Sequence, residues 1–137
     1  MRKKVNTGSP MPKALACGML EDNGRILFLI RKDTPSIERI ELPNILVYSG
    51  RDPLAELKLE FVKQTGIDSQ IGQIIFEARF NAGSRKRKEW VPCLVFAITA
   101  RNRTAKPSNE FSGFKWLSIA NAKEMRLTKR SEWIRKL

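Results

Sequence analysis

Glu56 and Glu60 stand four residues apart in "PLAELKLEFVKQTGI", with Lys63 and Gln64 one turn further on. At helical spacing these residues share one face. Two carboxylates so placed can hold one hard divalent cation weakly, since oxygen ligands suit such ions. They can equally be surface glutamates, with Glu60 pairing to Lys63 or Gln64. A second set of residues asks for different chemistry. In "GSRKRKEW", residues 83–90, Arg85, Lys86, Arg87 and Lys88 follow one another, with Glu89 and Trp90 behind them. Four adjacent cations with a single neighbouring acid cannot all pair inside a small fold. They can follow a phosphate backbone, and an indole can stack on a base. The same run also reads as a solubilising hairpin, and Trp90 as a core residue at the start of a strand. The chain has no histidine, which excludes His-based catalysis and His-ligated zinc. Cys17 and Cys93 lie inside apolar runs and read as reduced core residues.

The elements that must position these residues can be read from pattern and punctuation. "ALACGML" and "RILFLIRK" are apolar strands, the second apolar enough for burial on both faces, and "EDNG" between them suits a type I′ hairpin turn. "DTPSIER" is a loop, and "IELPN" is a short strand ending at Pro43 that "ILVYSG" extends or covers. A helix follows. Asp52 can cap its free N–H groups, Pro53 suits its first turn and Gly66 stops it. Leu54, Leu57 and Phe61 form its apolar stripe. "IGQIIFEARF" and "WVPCLVFAITA" are two strands joined by the basic loop, and "GFKWLS" is a short final strand. "IANAKEMRL" and "SEWIRKL" predict two C-terminal helices starting at Ser118 and Ser131. Trp133, Ile134 and Leu137 would dock the last of these, leaving Lys129, Arg130, Arg135 and Lys136 outside. This order of elements predicts an α/β fold with a mixed sheet covered on both faces.

The whole chain of 137 residues fits one domain. Residues 1–12 read as a flexible basic tail and 13–137 as the single domain. Its apolar runs fall far short of the roughly 20 residues of a membrane helix, and the basic start lacks a signal-peptide core. The expected location is therefore cytoplasmic, without a membrane. The net charge is +12, and it is unevenly spread. Residues 14–78 carry seven basic and ten acidic residues, whereas residues 79–106 carry eight basic and one acidic. A field of this kind attracts polyanions, RNA or DNA first among them. Solvated Lys/Arg faces on a generally basic protein would give the same count.

Four segments together carry a resemblance. "EDNGRILFLIRK", "IELPNILVYSGRD", "LKLEFVKQTGI" and "NEFSGFKWLSIANA" occur in this order and spacing. From Ala14 to about Leu127 the sequence thereby resembles a Nudix domain. The resemblance implies a Nudix-like α/β/α sandwich with a mixed central sheet. It also implies cleavage of a nucleoside diphosphate linked to another group, with Mg²⁺ or Mn²⁺ held by several glutamates. Position by position, the family's signature glycines fall on Asn44 and Ile45, its next Glu on Arg51 and its helix Arg on Leu59. The first helix Glu is kept as Glu60. The Glu-Glu pair falls on Lys63 and Gln64, and Thr65, Gly66 and Ile67 match the end. Glu110 matches a Glu of the late segment. A register through Gly50 and Glu56 is also conceivable, but it puts Gly66 too early.

Lys63 sets a cation where the resemblance would place a metal, a reversal of charge. The expected function is therefore a catalytically degenerate Nudix-like domain. It would bind RNA or a nucleotide or phosphate ligand, within a ribonucleoprotein assembly. Arg85, Lys86, Arg87, Lys88 and Trp90 would be its nucleic-acid contacts, and Arg51 and Lys63 its phosphate contacts. No cofactor is expected on this reading. Two alternatives stay open. One is a Mg²⁺-dependent Nudix hydrolase of a nucleoside diphosphate-linked compound, with Glu60 as catalytic carboxylate and Glu60 and Glu110 as weak metal ligands. The other is a protein-interaction module.

Overall fold

The computed structural model describes residues 10–31 and 37–137. The basic tail up to residue 9 and part of the "DTPSIER" loop lie outside the described residues. From Lys13 onward the chain is tied to the sheet, with the Lys13 N–H donating to the Val47 carbonyl at 2.7 Å.

The first hairpin joins β1 (Ala14–Asp22) to β2 (Arg25–Arg31). Its turn has φ of 52° at Asn23 and 77° at Gly24, the two positive angles a type I′ turn needs. The apolar positions of both strands are buried on alternate sides, so the sheet must be covered twice. β3 (Ile40–Glu41) is brief, and the chain re-enters the sheet as β4 (Asn44–Val47), antiparallel to β1. The segment after Pro43 is thus a separate strand rather than an extension.

Helix α1 (Pro53–Thr65) has the limits the sequence predicts. The Asp52 carboxylate accepts from the Leu54 N–H, Pro53 opens the first turn, and Gly66 closes the helix at φ 72°. A Cβ at position 66 would also stand 2.9 Å from the Lys106 carbonyl oxygen, so close approach and backbone angle both require glycine there. The buried face differs from the predicted stripe. Leu57, Phe61, Gln64 and Thr65 face the sheet, while Leu54 is 42% exposed, because position 54 lies at the open first turn. Burial of Leu57 and Phe61 contributes about 1.5–3 kcal/mol each.

β5 (Ser69–Asn81) and β6 (Trp90–Ala100) form the long second hairpin, and β7 (Phe111–Leu117) pairs with β2. Among the described residues the seven strands make one mixed sheet in the order β3-β2-β1-β6-β5, with β4 beside β1 and β7 beside β2. β1 and β6 are parallel and the other pairs antiparallel. One face is covered by α1 with Ile67 and Ala105. The other is covered by α2 (Ile119–Ala122) and a C-terminal 3₁₀ helix (Lys129–Lys136), through Ala122, Leu127, Trp133 and Ile134. The architecture is the predicted α/β/α sandwich.

Two C-terminal expectations are corrected. The first helix spans one turn rather than "IANAKEMRL", although Ser118 caps it as predicted. The second begins at Lys129, not Ser131. Ser131 is buried because its Oγ accepts the Leu42 N–H at 3.0 Å, a sheet-edge donor that would otherwise be orphaned. No helix among the described residues is long and apolar enough to cross a membrane.

Candidate functional site

The turn between β3 and β4 meets the last turns of α1 and the start of the C-terminal 3₁₀ helix, and a buried polar network joins them. Asn44 stands at its centre. Its Nδ2 donates to the Leu42 carbonyl at 2.7 Å and to Glu41 Oε2 at 3.1 Å. Its Oδ1 accepts from Arg130 Nη1 at 3.1 Å. The Gln64 amide grips the Asn44 backbone from the helix. Gln64 Oε1 accepts the Asn44 N–H at 3.2 Å, and Gln64 Nε2 donates to the Asn44 carbonyl at 2.8 Å. The second Nε2 proton goes to Glu60 Oε2 at 2.7 Å. Glu41 is only 4% exposed, yet accepts from Thr128 Oγ1 at 2.8 Å and stands 3.7 Å from the Arg31 guanidinium. A buried carboxylate needs such compensation.

This network bears on the metal question. Gln64 turns an N–H toward Glu60, where a second metal-binding carboxylate would turn a lone pair. Lys63, exposed on the same helix, adds a cation. Glu110 accepts from Ser108 Oγ at 3.3 Å and shares Arg31 with Glu41, standing 4.0 Å from its guanidinium. Among the described residues no group of three or more His, Cys, Asp or Glu could hold a metal ion. Mg²⁺ takes a near-octahedral oxygen shell made largely of waters and substrate phosphates, with one or two carboxylates; of the carboxylates here, Glu60 already accepts from Gln64 Nε2.

Arg51 stands 3.9 Å from Glu56, with its side chain two-thirds exposed. Arg51 and Lys63 both open to solvent on α1 and its approach. Arg130, predicted to point outward, is part of the Asn44 network, because its guanidinium donates to the Asn44 Oδ1 acceptor. Glu41, Asn44 and Arg130 were missed by sequence reasoning. Their nearest sequence signal is Asn44 at a position where the Nudix resemblance has glycine.

The basic loop is a built hairpin. Ser84 and Arg87 exchange backbone bonding, with the Ser84 N–H donating to the Arg87 carbonyl and the Arg87 N–H to Ser84 Oγ, each at 2.9 Å. Asn81 Oδ1 accepts the N–H groups of Gly83 at 3.0 Å and Glu89 at 2.9 Å. Lys129 Nζ donates to the Gly83 carbonyl at 2.8 Å, pinning the hairpin to the C-terminal helix. Arg85, Lys86, Arg87 and Lys88 are all exposed, and among the described residues none of them pairs with a carboxylate. Trp90 is 50% exposed, contrary to the core reading of a first strand residue. It pairs with Asn81 on the outermost strand pair, and the Arg79 guanidinium lies 5.2 Å from its ring centroid. Cys17 and Cys93 are buried as predicted, with their sulfurs 3.8 Å apart.

No protein-family model matches the sequence and no curated protein matches it. Solved structures do match the fold. A MutT protein from Methanosarcina mazei has a TM-score of 0.71 at 20% identity, over 96% of this chain and 95% of that one. The Escherichia coli dihydroneopterin triphosphate pyrophosphohydrolase has a TM-score of 0.68 at 14% identity, over 95% and 97%. A Nudix hydrolase from Nitrosomonas europaea has a TM-score of 0.67 at 12% identity, over 91% and 84%. The chain has the Nudix fold.

Proposed function

We propose that this Nudix-fold chain is a degenerate, non-hydrolytic module that binds RNA inside the cell, within a ribonucleoprotein assembly. The observation that carries the reading is the hairpin. Four consecutive exposed cations stand on a turn held rigid by Asn81, Ser84 and Lys129. A pre-ordered cationic strip loses little conformational freedom on meeting a phosphate backbone. Arg85 to Lys88 take phosphates, with Trp90 beside them as a stacking face. Arg51 and Lys63 supply phosphate contacts near α1, where their charge stands in for what a metal would bring. The reading calls for no cofactor. Fluorescence anisotropy with labelled RNA tests it. Binding should weaken steeply as salt rises, and a flat plot of log affinity against log salt would sink it.

A second reading is hydrolysis of a nucleoside diphosphate-linked compound with Mg²⁺. It is favoured by fold neighbours that are themselves named as hydrolases and by Glu60, which stays on the helix. Phosphate release from a nucleotide panel with Mg²⁺ or Mn²⁺, abolished by Glu60→Gln, would put this reading in place of the first.

A further inference from the structure

Beside the basic hairpin, the outer strand β5 and the C-terminal 3₁₀ helix enclose a groove of about 800 Å³. That volume lies in the range of small-ligand sites. The groove adjoins the hairpin on both sides: Trp90 follows the basic run directly, and Lys129 reaches across to the Gly83 carbonyl. Two of its four aromatic side chains are accessible, and Phe80 and Trp133 are buried. Phe76 is 41% and Trp90 50% exposed, while Trp133 is fixed by its Nε1 donating to the Arg130 carbonyl at 3.1 Å. β5 pairs only with β6 among the described strands, so the groove wraps this edge of the sheet, with Phe80 and Trp133 on one face and Arg79 and Trp90 on the other. The charges inside nearly balance, with Arg79, Lys129 and Lys136 against Glu77 and Glu132. The dense positive charge therefore stands beside the groove, on Arg85 to Lys88, and not within it.

An aromatic slot of near-even charge next to a dense cationic strip matches the two halves of an unpaired nucleotide. Phosphates suit the strip. Bases, each with a planar face, suit the slot, and the Arg79–Trp90 pair offers a stack that a base can continue. A duplex has the phosphates but keeps its bases inside. We propose that this groove receives the bases of single-stranded RNA while the hairpin holds its phosphates, so that the chain selects single strands over duplex. The inference rests on the polyanion reading above and deepens it.

The test compares three labelled ligands of equal length: a single strand, a duplex and an abasic single strand. The wild-type chain should bind the single strand about tenfold more tightly than either of the others. Phe76→Ala with Trp90→Ala should remove most of that preference and leave duplex and abasic binding within about twofold. Both side chains are half exposed, and an unchanged unfolding midpoint checks that the variant is folded. The ligand comparison on the wild-type chain needs no variant. Equal affinity for all three ligands, or equal loss on all three in the variant, overturns the groove while leaving polyanion binding in place. Absence of binding to any of them overturns both.

Discussion

Gln64 shows how one buried side chain ties α1 to the sheet. Its amide meets the Asn44 backbone on both sides and gives its last proton to Glu60. A carboxylate could accept the Asn44 N–H but could donate to neither the Asn44 carbonyl nor Glu60. Gln64→Ala should therefore cost about 2 kcal/mol in urea unfolding, from buried groups left without partners. Gln64→Glu should cost more than Gln64→Ala, since it also sets two carboxylates together; a Glu variant as stable as the wild type would refute this account. Cys17 makes a second prediction at this scale. Its hydrogen bond with Cys93, and then burial, hold the thiol well above its ordinary value of 9.0. The folded chain thus keeps this proton when the unfolded chain loses it. The stabilisation is complete below the unfolded value and drains as pH rises past it. The unfolding free-energy difference between wild type and Cys17→Ala should be level through neutral pH and shift against the wild type above about 9. A difference that stays level into the alkaline range would show that Cys17 does not hold its proton this way.

Among the elements, the basic hairpin is the one whose shape and charge can be separated. Gly83 makes that possible, because a Cβ there would collide with the Arg87 carbonyl oxygen. Gly83→Ala keeps all four cations and must open the turn. RNA affinity should fall several-fold, by roughly 1 kcal/mol, with the core intact by far-UV circular dichroism. Unchanged affinity would mean that charge alone suffices and the ordered turn does not matter. The same element marks the limit of what the sequence carries. The first hairpin turn, the ends of α1 and the strands flanking the basic run were legible, because capping, Gly/Pro punctuation and apolar periodicity act within a few residues. The outward Leu54 and the shortened α2 depart from the pattern, and the buried Ser131 depends on Leu42, 89 residues away. The site divides along the same line. The exposed run at 85–88 follows from charge density alone. The Glu41–Asn44–Gln64–Arg130 network includes a bond between residues 86 apart, Arg130 to Asn44, and no local pattern announces it.

For the whole molecule the question is whether +12 of net charge acts as a diffuse field or through a place. The layers of the fold favour a place. The part of the chain that includes α1, residues 14–78, has more acids than bases, while the excess lies in residues 1–13, at +4, residues 79–106, at +7, and residues 107–137, at +4, and Lys129 joins the last two segments. Counterion release distinguishes the two cases. Each phosphate neutralised on a single strand contributes about 0.7 to the slope of log affinity against log salt. If Arg85, Lys86, Arg87 and Lys88 each meet one phosphate, replacing all four with serine should lower that slope by about 3. The four side chains are exposed and pair with no described carboxylate, so the replacement should leave the unfolding midpoint close to that of the wild type. Replacing four exposed cations elsewhere, such as Arg25, Lys58, Arg101 and Arg126, removes the same net charge. If the field were diffuse, both quadruple variants would lose affinity equally and share one slope. A local strip predicts instead a large fall in slope for the hairpin variant and a change of less than about 1 for the other.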